Sequence, residues 1–561
     1  MELFINIIKS NKQGEQRTTP IEKKPASPSN SIPKEAKQSI GRDTVLCLAV
    51  GLLYGLSWPV FEGVNLSFLA WFSFVPLFIF LHRNQDRFWK SLVGSYLAML
   101  VFGLMTAGWL FNFPQAKGQI AVVVLLEIAY FTFPVIPFFL LQRRLGFERA
   151  LWLFPLLWTI WEWLYLDLDF TMGTHLSAYS QSGNLWLVQF IDLTGMWGIA
   201  CWLLFFNVFL YKAYRAAGDR FLTKAFVRKA FWPTTLLLGL PLLYAVFAFN
   251  KYDEPKGEQL RVGLVPTYFT AAFFQQVGNS QVAVERSLHK TDSLFFTAKD
   301  RGAQPVDLYV WPETGTDFHL ETGNVGELFN AATKDWDAAL LTGCRSRPAA
   351  DTTDWRDYVS GVMISPRSKA PAYHHKTVLT PGQEMIPYHR QLAQFSGFPI
   401  PLEHPRYRRQ GILSQPLPLT TRDGREFQLG ISLCFEQWYP THWAALARNG
   451  ADAYVHMAGE GWYGEVGFKQ FMVNVSRLRC IENRRAAARC ANVGISGFIS
   501  ATGRLSRHNT KQNQPQNLAA TAGLTPFARW PNWFPAGCLL ALVGGIAYSP
   551  IIRKRINHDT F

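Results

Sequence analysis

Phe427-Gln428-Leu429-Gly430-Ile431-Ser432-Leu433-Cys434-Phe435-Glu436 is the stretch on which the fold of the C-terminal half turns. Apolar residues at 427, 429, 431 and 433 have the period of a β-strand, and a thiol and a carboxylate follow at its end. In open α/β sheets the carboxyl ends of strands line the ligand crevice. Cys434 is therefore a candidate nucleophile. The bland alternative is a buried, inert thiol.

Two other stretches supply matching chemistry. The strand-like run Val306–Trp311 leads into Pro312-Glu313, and Tyr373-His374-His375-Lys376 precedes Glu384 by a short turn. A thiol, a carboxylate and an ammonium are the parts needed for acyl transfer through a thioester. The thiolate attacks, the carboxylate carries the proton, and the cation steadies developing negative charge. A lysine near Cys434 would also favour the thiolate. Taken singly, Glu313 could merely end a strand and Lys376 could be a surface residue.

From Leu260 onward, short apolar runs alternate with helix-like stretches. Arg261–Val265, Val306–Trp311, Ala338–Gly343, Gly361–Ile364, Phe427–Leu433, Ala453–His456 and Arg489–Ile499 read as strands. Phe273–Lys299 and Phe468–Arg485 read as helices. Alternating strands and helices predict an α/β sandwich.

The N-terminal half reads differently. The chain has 561 residues, 49% hydrophobic, 15% aromatic and only 17% charged, which is too apolar for an ordinary soluble enzyme. Segments apolar enough to span hydrocarbon fall at 44–61, 66–82, 91–112, 119–141, 150–166, 186–211, 231–249 and 533–552. Basic residues crowd the first 42 residues, the loops 83–90, 142–149 and 212–229, and the stretch after 552. The alternate loops 62–65, 113–118 and 167–185 hold almost none. The positive-inside rule then places both termini in the cytoplasm and the 251–530 segment outside. The net charge of +15 is thus a topology signal and does not point to nucleic acid. The 7 cysteines are scattered, several within apolar segments, and form no disulfide framework.

The expected organisation is a disordered basic tail (1–42), a seven-helix membrane domain (43–250), a catalytic domain (251–530), an eighth span (531–552) and a cytoplasmic tail (553–561). No cleavable signal peptide is expected. Glu127, Glu162 and Asp192 lie within spans, where ionisable residues mark function unless neighbouring helices pair them.

Val310-Trp311-Pro312-Glu313, the His375-Lys376…Pro381-Gly382…Glu384 stretch and Ile431–Glu436 resemble the signature blocks of the nitrilase, or carbon–nitrogen hydrolase, superfamily. Gly461-Trp462-Tyr463-Gly464 and the Arg479–Glu482 and Arg489–Ser496 blocks fit as well. Set among eight spans, and with Gln189–Gly195 opening the sixth, the whole resembles the membrane-embedded apolipoprotein N-acyltransferase family.

That resemblance implies a nitrilase-like αββα sandwich on the extracytoplasmic side of the bacterial inner membrane, carried by a bundle of about eight transmembrane helices. It implies that Cys434 takes an acyl chain from a membrane phospholipid, typically phosphatidylethanolamine. The chain then passes to the α-amino group of a diacylglyceryl apolipoprotein. Glu313 would be the base and acid, and Lys376 the oxyanion stabiliser. Glu384, Glu436, Phe435 and Trp311 would support them, with Glu384 orienting Lys376 or Cys434. Salt bridges framing the fold are the alternative for Glu384 and Glu436.

The sequence departs from the commoner family pattern at Phe435 (often Tyr), at Leu379–Glu384, at Pro266-Thr267-Tyr268 and at Ala458-Gly459-Glu460. No cofactor is expected, because the donor is already an activated ester. No metal is expected either, since His374 and His375 would diverge on a strand. A monomer is expected. The competing readings are a membrane-anchored nitrilase-type amidase and an inactive scaffold or transporter.

Overall fold

The computed structural model describes residues 34–60, 63–112, 117–221, 223–254, 257–267, 280–313, 319–320, 324–347, 356–388, 391, 394, 408–461, 468–507 and 515–558. Most of the tail before 43, Tyr268, the start of the Phe273–Lys299 helix and Trp462-Tyr463-Gly464 lie outside these residues. From Thr44 onward the chain is one compact unit.

The C-terminal half is a four-layer αββα sandwich. Its first sheet contains β1 (Gln259–Leu264), β2 (Leu308–Val310), β3 (Ala339–Ser346), β4 (Tyr358–Ile364), β5 (Ala372–His375) and β12 (Gln516–Ala519), in the order β12-β1-β2-β3-β4-β5. The second contains β6 (Leu417–Thr420), β7 (Glu426–Leu433), β8 (Ala453–Ala458), β9 (Ala487–Ala491), β10 (Gly497–Ile499) and β11 (Leu505–Arg507), in the order β11-β10-β9-β8-β7-β6. Each has a parallel centre, β1-β2-β3 and β7-β8-β9, flanked by antiparallel strands. The strand period of two makes the layers. Leu429, Ile431 and Leu433 face inward with Val262, Leu264, Val310, Val455 and Met457, closing one core between the sheets. Alternate residues of the first sheet, such as Tyr309 and Leu340, pack on the other face with Val284 and Leu294 of the helix Ser280–Asp300 and Phe329 of the helix Val325–Trp336. Tyr454 and Ala487 of the second sheet pack with Trp443 and Val473 from the helices Pro440–Arg448 and Phe468–Asn483.

Every apolar segment of the N-terminal half is helical, although several are broken. The 66–82 segment is split at Phe74, and 119–141 divides into Lys117–Thr132 and Val135–Leu145. The 186–211 segment opens with two short turns before Trp197–Ala216. By length and composition four of the described helical stretches can cross a membrane: Phe88–Thr106, Ala121–Leu145, Trp197–Ala216 and Lys224–Tyr252. Ser67–Arg83 and Trp533–Tyr548 are shorter apolar helices. The basic loops gather at one end, where Gln142 donates to the Gln85 carbonyl (2.9 Å) and Lys212 pairs with Glu148.

At the other end the bundle and the sandwich share one apolar core, which runs from Phe102, Trp158 and Tyr179 to Phe435, Trp438, Phe471 and Leu478. Polar clamps flank it. Arg484 donates to Asp192 Oδ2 (2.8 Å) and to the Gln189 side-chain and backbone oxygens (2.7 and 2.6 Å). Met196 N donates to Glu482 Oε1 (2.9 Å). The Gln189–Gly195 block is thus the bundle's half of this clamp. Glu162 accepts from Trp158 Nε1 (2.9 Å), Ser177 N (2.8 Å) and Ser177 Oγ (2.5 Å). Glu127 accepts from the Tyr165 hydroxyl. All three intramembrane carboxylates of the sequence reading are therefore partnered within the protein.

Candidate active site

Three loops at the carboxyl ends of strands converge. Cys434 begins a 3₁₀ turn, Cys434–Trp438, directly after β7. Its backbone has φ +42°, a conformation that costs a non-glycine residue on the order of 1–2 kcal/mol and turns the thiol out of the strand line. The strain persists because the turn is buried on all sides. Phe435 and Trp438 sit in the core shared with the bundle, and the Tyr179 hydroxyl donates to the Trp438 carbonyl (3.3 Å).

Glu313 follows β2. Trp311 anchors this end: it is fully buried, its Nε1 donates to Thr291 Oγ1 (3.0 Å), and its ring meets Phe329 edge-on. Beneath Glu313 runs Gly343 of β3. A β-carbon there would lie 1.7 Å from the Glu313 carbonyl oxygen, so only glycine lets the two backbones come this close.

Lys376 follows β5. Its N–H donates to the Val359 carbonyl and its carbonyl accepts from Gly411 N, both at 2.8 Å. Its ammonium, 1% exposed, lies 3.0 Å from Glu313 Oε1 and 2.9 Å from Glu384 Oε1. Glu384 is fixed in turn by Thr380 N, which donates to Oε2 at 2.7 Å. Of the two orientations open in the sequence, Glu384 faces Lys376.

The electrostatics follow. Burial alone would favour a neutral Lys376, but Glu313, Glu384 and Cys434 outweigh it and hold the ammonium well above its ordinary range. Burial raises Glu313, opposed by Lys376 and by a hydrogen bond with Cys434. Burial also pushes the Cys434 thiol up, reinforced by Glu313. Lys376 and the Gly459 N–H pull it down, but less strongly. Lys376 does pull toward the thiolate, as expected of a nearby cation, and burial outweighs that pull.

Glu436, two residues after the thiol, serves the frame of the site. Fully buried, it accepts from Leu433 N (2.7 Å), Thr377 N (2.6 Å) and Thr377 Oγ1 (2.8 Å). Burial opposes its charge, yet His442, His374 and the Leu433 N–H hold it well below the usual carboxylate range. Glu436 thus ties the strand bearing Lys376 to the turn bearing Cys434. The departure at Ala458-Gly459-Glu460 is absorbed locally. Asn492 Oδ1 accepts from Glu460 N (2.7 Å) and Gly461 N (3.1 Å), while Arg489 pairs with the Glu460 carboxylate. Sequence reasoning missed Thr377, Gly343 and His442, and gave Asn492, which lies in the Arg489–Ser496 block, no role of its own. Gly343, a glycine inside a strand-like run, carries a local signal.

Comparison with known proteins agrees with this architecture. Residues 50–209 match the apolipoprotein N-acyltransferase N-terminal domain, and residues 270–521 match carbon-nitrogen hydrolase. Apolipoprotein N-acyltransferase of Chlorobaculum tepidum is 29% identical over 91% of this chain and 97% of its own length. The enzyme of the same name from Geobacter metallireducens is 24% identical over 92% and 97%. A carbon-nitrogen hydrolase structure from Helicobacter pylori covers 49% of this chain and 94% of its own, with 15% identity and a TM-score of 0.33. With both halves matched in order, and relatives aligned over nearly their whole length, the chain is an acyltransferase of the apolipoprotein N-acyltransferase family, built on a carbon–nitrogen hydrolase domain.

Proposed function

We propose that the protein N-acylates the diacylglyceryl-cysteine at the N-terminus of bacterial lipoproteins, with a membrane phospholipid, phosphatidylethanolamine foremost, as donor. The observation that carries this reading is the Lys376 ammonium held between Glu313 and Glu384 beside the Cys434 thiol.

In the first half-reaction Glu313 takes the thiol proton as Cys434 Sγ bonds to the ester carbonyl carbon. Lys376 faces the developing oxyanion. Collapse breaks the acyl C–O bond, and Glu313 returns its proton to the departing lysophospholipid alkoxide. A thioester remains. In the second, the α-amino group of the lipoprotein attacks the thioester carbonyl and loses a proton to Glu313. The C–S bond breaks, the sulfur regains that proton, and an amide is released. Two steps let one thiol serve two bulky lipids in turn, and a thioester accepts an amine more readily than an ester does.

A sandwich that shares its core with the bundle suits lipid substrates better than a single anchor would, which favours this reading over a membrane-bound amidase. Eight spans with both termini cytoplasmic complete the proposal. The basic loops at the bundle end away from the sandwich support that orientation. The test is transfer of a labelled acyl chain from phosphatidylethanolamine to a diacylated lipopeptide by the detergent-solubilised protein. An N-acylated product is expected. Release of free fatty acid alone, or hydrolysis of simple amides instead, would replace this reading with the amidase.

A further inference from the structure

His374, Glu436 and His442 form a second constellation beneath the nucleophile turn, and acyl transfer needs no group of theirs as acid, base or nucleophile. All three are buried, at 2%, 0% and 5% exposure. His374 lies on β5 two residues before Lys376, Glu436 two residues after Cys434, and His442 on the helix Pro440–Arg448. His374 and His375 do diverge: His375 turns to the Ser360 hydroxyl (2.8 Å), and His374 turns inward. The sequence could not show that a second imidazole, from a helix more than sixty residues on, meets it there.

The geometry is that of a cation site. His374 Nε2 and His442 Nε2 each lie 3.4 Å from Glu436 Oε2. One donor atom from each residue falls within 4.8 Å of the others. Zinc bonds of about 2.0–2.2 Å in tetrahedral geometry set neighbouring ligand atoms roughly 3.4 Å apart. His442 Nε2 makes no hydrogen bond although it is buried, and neither does His374 Nδ1. On its other side His442 Nδ1 is held by Thr377 Oγ1 (3.0 Å) and Ser414 Oγ (3.1 Å), the outer-shell support that orients a metal-bound imidazole.

We propose that His374, Glu436 and His442 bind one divalent transition-metal ion of the zinc type. Two imidazoles and a carboxylate suit zinc better than magnesium or calcium, which take oxygen ligands. The ion is a positioning device, since its ligands lie below the thiol and are closed to solvent. It cross-links β5, which leads into Lys376, to the turn that carries Cys434, and so fixes the spacing of cation and nucleophile.

The test is elemental analysis of the full chain in detergent, purified without a histidine tag or metal column, before and after loading with zinc chloride and dialysis. About one zinc per chain is expected, falling at least about tenfold in both His442→Ala and His374→Ala. Cobalt(II) loaded in place of zinc should give the visible absorption of a four-coordinate site in the wild type and lose it in the variants. Less than a tenth of an ion per wild-type chain after loading would overturn the proposal, whatever the folding of the variants. So would equal zinc in wild type and variants, because the ion would then lie elsewhere.

Discussion

The bundle buries carboxylates, and so does the thiol site of the sandwich, and the two use them in opposite ways. Glu162 and Asp192 are closed by their surroundings: three donors converge on one, and Arg484 and the Tyr244 hydroxyl on the other. Glu313 and Glu384 share a single ammonium, and Glu313 keeps one side for a thiol. Burial is common to both sets. What separates structure from chemistry is whether the carboxylate faces a reacting atom: the donors to Glu162 all meet Oε1 and none of them reacts, whereas Glu313 lies beside the thiol.

That contrast can be broken by substitution. The largest effect is expected at Cys434→Ala, which removes the nucleophile and should lower transfer by roughly 10⁴-fold or more in the lipopeptide assay. Glu313→Gln keeps the size of the side chain and removes the base, for an expected loss on the order of 10²–10⁴ in rate. Because burial raises the Glu313 carboxyl, the ionised base is lost as pH falls through a midpoint above the usual carboxylate range. The rate of enzyme acylation should therefore fall on acidification with such a midpoint, and Glu313→Gln should flatten that limb.

Gly343→Ala sharpens the contrast without touching a reacting group. The added methyl meets the Glu313 backbone, and a displacement of about 1 Å there should cost on the order of 10²-fold in rate. Glu162→Gln should change turnover by no more than a few-fold and lower stability by about 1–3 kcal/mol, read as a fall in melting temperature in detergent. If Glu162→Gln cost as much turnover as Glu313→Gln, the distinction between the two regions would fail.

Much of the sandwich was legible because strand period and strand-end chemistry are local. Glu313 and Cys434 follow apolar runs that became β2 and β7, and Lys376 follows β5. The meeting of the three is not local, and only the order of motifs suggested it. Glu436 shows the limit most clearly. Its place beside Cys434 suggested a helper facing the thiol, yet its carboxylate points to Thr377, His374 and His442, contacts set by the stacking of two sheets. In the bundle, hydrophobicity located the apolar helices but not the start of the first at Lys34, the turn Ser177–Gln181, the breaks at Phe74 and before Val135, or the clamp from Gln189 and Asp192 to Arg484. Such breaks depend on what packs alongside, which composition does not record.

The most direct test of the central claim is the intact mass of the purified protein after incubation with phosphatidylethanolamine alone, compared with Cys434→Ala. A gain of one fatty acyl chain, released by hydroxylamine and absent from the variant, is the expected result. A folded protein with a reactive thiol that gains no acyl mass from any phospholipid, or one in which Cys434→Ala gains the same mass, would contradict the thioester at Cys434.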